Sequence, residues 1–212
     1  MPKKKKNKVK PYTPNDKFFY RAKEQGFRAR SAFKLQEIEN KFHLLKPRDV
    51  VLDIGAAPGS FLQVASEIVG KRGLLIGMDL KPIEPFSDHK NIHTFVCDVF
   101  QHDEVRGNLE SLALAQVDVI LSDIAPNTSG ISDVDQWRSV ELNLEILKVA
   151  DMFLKPGGNL LLKVFHGEDF PQLIAAVKER FERTKVFKPS ASRERSVEMY
   201  IVAYCKNNKK VV

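Results

Sequence analysis

From Val50 onward the chain alternates short, almost wholly apolar runs with longer segments whose apolar residues recur every three to four positions. The first kind reads as buried strands and the second as amphipathic helices. VVLDIG (50–55) opens the series as a strand and SFLQVASEIV (60–69) follows as a helix. GLLIGMDL (73–80) and IHTFVCDVF (92–100) read as the second and third strands, which end in Asp79 and Asp98. EVRGNLESLAL (104–114) is a helix, and VDVILSDI (117–124) is a fourth strand that carries Asp123 at its end. RSVELNLEILKVADMFL (138–154) is a long helix that Pro156-Gly157-Gly158 should stop. NLLLKVF (159–165) is a fifth strand and FPQLIAAVKERF (170–181) a helix. TKVFKPS (184–190) and VEMYIVAYC (197–205) close the chain as strands. Upstream, Ala32, Leu35, Ile38 and Phe42 share one face of a helix, with Ser31 at its N-cap.

Strand–helix alternation with continuous apolar strands predicts an α/β fold, a mostly parallel sheet with helices on both faces. The last two strands lie too close for a crossover helix and should form an antiparallel hairpin at one edge. The expected sheet therefore has seven strands. Its architecture is Rossmann-like, and the acids at its strand ends mark the side where open α/β sheets bind ligands.

Charge changes the picture at one end. The chain has 212 residues, 34 basic and 27 acidic, for a net charge of +7. Six of the first ten residues, MPKKKKNKVK, are lysines. Residues 1–14 read as a basic disordered arm and residues 15–212 as one folded domain. Such an arm either grips phosphates or serves as a nuclear-import signal; the pattern is the same for both. The overall basic balance favours a polyanionic partner. There is no run of 18 apolar residues and no signal-peptide core, so the expected location is cytoplasmic. Cys97 and Cys205 show no metal-ligand spacing and read as free thiols in strands. No metal is expected, and nothing in the pattern calls for more than a monomer.

The stretch DIGAAPGSF (53–61) joins a strand to a helix through a Gly-rich turn. It is neither G-x-G-x-x-G nor a P-loop, because Pro58 stands in the turn and the Lys-Ser/Thr pair is missing. A bound pyrophosphate or triphosphate is therefore disfavoured, although Gly55 and Gly59 still let a ligand approach the backbone. Asp79 is placed to take both hydroxyls of a ribose. Asp98 is placed to accept from an adenine amino group. A nucleoside held without phosphates points to S-adenosylmethionine.

The stretches KEQGFRARSAFKLQEI, DIGAAPGSF, DIAPNTSG, LLLKVFHGE and KPSASRERSVEMYIVA together resemble the FtsJ-like RNA ribose 2′-O-methyltransferases. Among these the resemblance is to the bacterial type that modifies a uridine of large-subunit ribosomal RNA. It covers nearly everything after the lysine arm. It implies the S-adenosylmethionine-dependent methyltransferase version of the fold, and a catalytic tetrad at Lys34, Asp123, Lys163 and Glu198. It also implies cofactor contacts at Gly59, Phe61, Asp79, Asp98 and Asp123, with ribosomal RNA of a large subunit or its precursor as partner. Two departures stand out. Ser60 and Phe61 replace a glycine and a tryptophan of the bacterial enzyme, and the N-terminal lysine run is longer than in the shortest members.

Taken singly, each tetrad residue has a plainer reading. Lys163 can snorkel from a strand end, Glu198 can face outward from a strand, and Lys34 can face solvent from a helix. His166, just after Lys163, reads as a loop residue and is the alternative base. Trp137, the only tryptophan, reads as an anchor of the long helix. Arg21, Lys23, Arg28 and Arg30 before Lys34, and Lys188, Arg193 and Arg195 before Glu198, are candidate phosphate contacts. Two other functions fit the same residues: methylation of a transfer-RNA anticodon loop or an RNA cap, and a non-catalytic RNA-binding assembly factor.

Overall fold

The computed structural model describes residues 17–192 and 196–208. The lysine arm, Arg193 and Arg195 lie outside the described residues. Two short helices, α1 (Lys17–Glu24) and α2 (Ala32–Phe42), precede the sheet. There follow β1 (Val50–Ile54), α3 (Ser60–Val69), β2 (Leu74–Asp79), β3 (Ile92–Val96), α4 (His102–Ser111) and β4 (Val117–Ser122). The chain then runs through α5 (Ser132–Phe153), β5 (Leu154–Phe165), α6 (Phe170–Arg180), β6 (Phe181–Phe187) and β7 (Glu198–Lys206).

The seven strands form one sheet in the order β3-β2-β1-β4-β5-β7-β6. Strands β1 to β5 pair with one another in parallel. β7 runs antiparallel to both β5 and β6, so the expected hairpin closes one edge. The strand order reverses outward from β1 and β4, where open sheets of this kind form their ligand crevice.

Residue parity along the strands sorts the core into two layers. Leu52, Ile120, Leu162 and Ile201 pack with residues of α4, α5 and α6. Val51, Val119, Leu161, Tyr200 and Val202 face α2 and α3 on the other side. Lys163 is two residues from Leu161 and so lies on the α2 side of β5. Among the described residues, no helix is long and apolar enough to cross a membrane.

Local expectations shift in several places, among them the start of α5 at Ser132 rather than Arg138 and of β6 at Phe181 rather than Thr184. Ser31 precedes α2, yet it has helical dihedrals and makes no cap bond; its hydroxyl instead meets Ser60 Oγ at 2.7 Å. β3 stops at Val96, so Asp98 stands two residues beyond the strand. Pro156-Gly157-Gly158 does not end the long helix, which already stops at Phe153. It forms an irregularity inside β5, where the β4 register jumps from Val117↔Leu154 to Val119↔Asn159.

Candidate active site

The carboxyl ends of β1, β2 and β4 surround a cavity of about 430 Å³. Gly55, Ala57, Asp79, Asp98 and Asp123 line it, with Met78, Val99, Ile124 and Leu142 among its apolar walls. The loop after β4 comes so close that a Cβ on Gly55 would meet Ile124 Cβ at 3.0 Å, and Gly55 has a φ of +72°. Both facts call for glycine here. Asp79 is fixed to the wall by main-chain amides: Ala57 N–H donates to Oδ2 at 3.0 Å and Lys81 N–H to Oδ1 at 2.8 Å. A carboxylate can accept about four bonds, so each oxygen keeps capacity for a ligand hydroxyl. Asp98 Oδ1 accepts from Phe100 N–H at 3.1 Å. An apolar slot with two anchored carboxylates fits the adenosine part of S-adenosylmethionine. Gly59 and Phe61, expected as cofactor contacts, are not among the residues lining this cavity. Phe61 is buried in the α2–α3 core, and a Cβ on Gly59 would lie 2.6 Å from the Phe86 ring.

Lys34, Asp123, Lys163 and Glu198 come together although they lie on four separate segments. Lys34 Nζ is 2.6 Å from Glu198 Oε1, and Ser192 Oγ donates to the same oxygen at 3.1 Å. Lys163 Nζ is 3.1 Å from Asp123 Oδ1 and also donates to the main-chain oxygen of Asp123. Tyr200 joins the two pairs. Its hydroxyl donates to Asp123 Oδ1 at 2.6 Å, and Lys34 Nζ stands 5.9 Å from its ring centre. The β5–β7 register explains the meeting, since Lys163 is opposite Tyr200 and Phe165 is opposite Glu198. Asp123 belongs to both parts of the site: it lines the cavity and holds the Lys163 amine.

Sequence reasoning missed two residues here. Tyr200 is fully buried; burial, then the charges of Asp123 and Glu198, push its phenol well above the ordinary range, so it stays a donor. A period of two from Glu198 was the available signal. Asp53 is 1% exposed, and neither carboxyl oxygen has a partner among the described residues. Burial, then Asp123 and Asp79, push its carboxyl well above the usual range. The signal was an acid inside an otherwise apolar strand.

The two basic segments lie side by side. Glu37 on α2 accepts from Ser190 N–H at 2.8 Å, Arg30 donates to Ala191 O, and Ala22, Phe33 and Ala191 form a small apolar cluster. Arg28 differs from the expectation of a phosphate contact. Its guanidinium stacks on Phe86 at 3.6 Å and donates to Pro58 O, Glu84 O and Pro85 O at 2.6–3.0 Å. It braces the glycine turn from outside. Trp137 does not anchor α5, for it is 52% exposed. His166 is a loop residue, held by its N–H to Val197 O at 2.8 Å, with its ring against Phe170.

Comparison with known proteins identifies the family and the fold. The family described as FtsJ-like methyltransferase matches residues 27–206. "Ribosomal RNA large subunit methyltransferase E" of Azoarcus sp. is 46% identical over 89% of this chain and 90% of its own length. The protein of that name from Myxococcus xanthus is 42% identical over 91% and 90%. A ribosomal RNA methyltransferase of Plasmodium falciparum superposes with a TM-score of 0.76 at 29% identity, covering 86% of this chain and all of that one. Fibrillarin of Aeropyrum pernix, solved with S-adenosyl-L-methionine bound, shares the fold with a TM-score of 0.58 at 18% identity, over 83% of this chain and 74% of its own.

Proposed function

Because the chain belongs to the FtsJ-like methyltransferase family, we propose that it methylates a ribose 2′-hydroxyl of large-subunit ribosomal RNA, on a uridine, with S-adenosylmethionine as donor. One observation carries the site assignment: Asp123 lines the nucleoside-sized cavity and at the same time holds the Lys163 amine. The donor is thereby brought to the group that handles the hydroxyl proton.

S-adenosylmethionine, when bound, supplies a methyl group already activated by the sulfonium charge. Asp79 and Asp98 would hold its adenosine end and Asp123 would complete the contacts, with Gly59 and Phe61 supporting the turn from outside the cavity lining. What remains for the protein is alignment and removal of one proton. Lys163, as the neutral amine, takes the proton from the 2′-hydroxyl. Asp123 orients that amine, and Tyr200 orients Asp123. Lys34, held by Glu198, places a positive charge beside the same point, where negative charge develops on the ribose oxygen. The adjoining basic segments lead the phosphate backbone across the tetrad. The lysine arm adds further phosphate contacts, in a cytoplasmic monomer acting on the large subunit or its precursor.

The deciding experiment maps ribose methylation across ribosomal and transfer RNA in cells with and without this protein. The expected result is loss of one 2′-O-methyl uridine from large-subunit RNA. Loss confined to transfer RNA or a cap would overturn the substrate, and an unchanged map would overturn the activity. Removing residues 1–10 should also flatten the salt dependence of RNA binding, by about 0.7–0.9 in the log–log slope per engaged phosphate. An unchanged slope would take the arm off the RNA.

A further inference from the structure

β4 and β5 pair as far as Ser122↔Leu162, and there the ladder stops. β4 turns away to deliver Asp123, while β5 runs on to Phe165 with β7 on its other side. The main-chain groups of Lys163 and Phe165, two residues apart, point to the same side of the strand. A parallel neighbour would donate to one and accept from the other. Two side chains of α5 make these bonds instead. Asn143 Nδ2 donates to Lys163 O at 2.9 Å, and Ser139 Oγ accepts from Phe165 N–H at 3.0 Å. They stand four positions apart, on one face of the helix. Asn143 Nδ2 also donates to Ser139 O at 2.7 Å, which ties the pair together.

The composition of this spot argues for a task other than stability. Asn143 is fully buried, and its Oδ1 has no partner among the described residues. A buried orphan acceptor is unfavourable, and a leucine of similar size would avoid it. The place of asparagine in the core therefore rests on what Nδ2 does for Lys163 O.

We infer that Asn143 and Ser139 are positioning residues for the proton-accepting lysine, replacing the missing strand rung and so fixing the Lys163 amine against Asp123. The inference rests on the reading of Lys163 given above. The titratable groups that face that amine or its partners are Asp123 after β4, Asp53 on β1, Tyr200 and Glu198 on β7, and Lys34 on α2.

The test measures turnover of the full chain at saturating donor and RNA, per donor-binding site counted by calorimetry, across a range of pH. Asn143→Leu should lower kcat by about 10- to 100-fold, the scale of a small misplacement, and move the midpoint of the pH–rate profile. Donor affinity should stay within about twofold, because the asparagine does not act on ground-state binding. Ser139→Ala should lose about 3- to 10-fold, one hydrogen bond's worth, and Ser139→Thr should restore it. If Asn143→Leu does not fold, the Ser139 pair decides alone. A loss of rate with an unmoved profile means a merely structural role and overturns the inference. Normal turnover in Asn143→Leu beside an inert Lys163→Ala overturns it by itself. Normal turnover in Lys163→Ala removes the site reading, and this inference with it.

Discussion

Asp79 and Asp98 take their hydrogen bonds from amides at most 22 residues away and stand at the wall of an open cavity. Lys34 and Glu198 meet across 164 residues, with side chains only 11% and 12% exposed. Both halves of the site sit at the same edge of one sheet. The cofactor half is assembled locally, each acid placed by the end of its own strand and the turn beside it. The tetrad half exists only when α2, β4, β5 and β7 are all docked. A local site tolerates loss of one member, because the others keep their supports. Two poorly exposed ion pairs do not, because losing one charge leaves its partner buried and unpaired.

The largest expected effect tests the junction of the halves. Lys163→Ala should cut single-turnover methylation by about 10²–10⁴-fold, the scale of general-base catalysis, with donor affinity intact. Asp123→Ala should lose turnover and some donor affinity as well. The double variant should be little worse than Lys163→Ala, since groups acting as one unit are not additive. Additive losses would show that the two halves work independently.

Breaking the other ion pair should damage the fold. Glu198→Ala leaves the Lys34 ammonium poorly solvated and should cost about 3 kcal/mol of stability. For a domain of this size that is roughly 6–12 °C in Tm. A thermal melt within about 2 °C of the parent would place this pair with the weak surface bridges.

Asp79→Ala is the counterpart in the cofactor half. It should weaken S-adenosylmethionine binding by about 1.5–3 kcal/mol and leave kcat at saturating donor close to normal. Unchanged calorimetric affinity would take Asp79 out of the site.

The smallest effect concerns Glu39, which shares α2 with Lys34 but belongs to neither half. Burial, the first cause, raises its carboxyl from 4.5 to about 7. The folded state therefore binds this proton more tightly than the unfolded chain. The stability it contributes is complete below pH 4.5 and is lost as pH rises through about 7. Glu39→Gln should flatten that decline by about 1–2 kcal/mol between pH 5 and 8. Parallel denaturation curves for both proteins across this range would remove Glu39 as the cause.

The strand–helix order, the edge hairpin and Asp79 at the end of β2 were legible from local pattern. Period and turn chemistry act over a few residues, and a short window contains them. Asp98 was found as a cavity acid, although β3 ends before it. The tetrad was legible through resemblance; its residues, read singly, suited a snorkelling lysine or a surface acid equally well. Arg28 and Trp137 were misplaced for a common reason. A charged or aromatic side chain is directed by what packs next to it, and Phe86 and the carbonyls of Pro58, Glu84 and Pro85 come from loops whose approach local pattern does not specify.

Sequence by itself determined which segments become strands and which acids lie at or just beyond their ends, because apolar periodicity is a property of neighbours along the chain. Only the tertiary structure decided that Tyr200 bridges the two ion pairs and that Asn143 and Ser139 bond to the main chain around Lys163. Those contacts depend on the order of strands in the sheet and on where β4 leaves β5. Long-range docking sets both, through burial of faces that many partners could cover equally well.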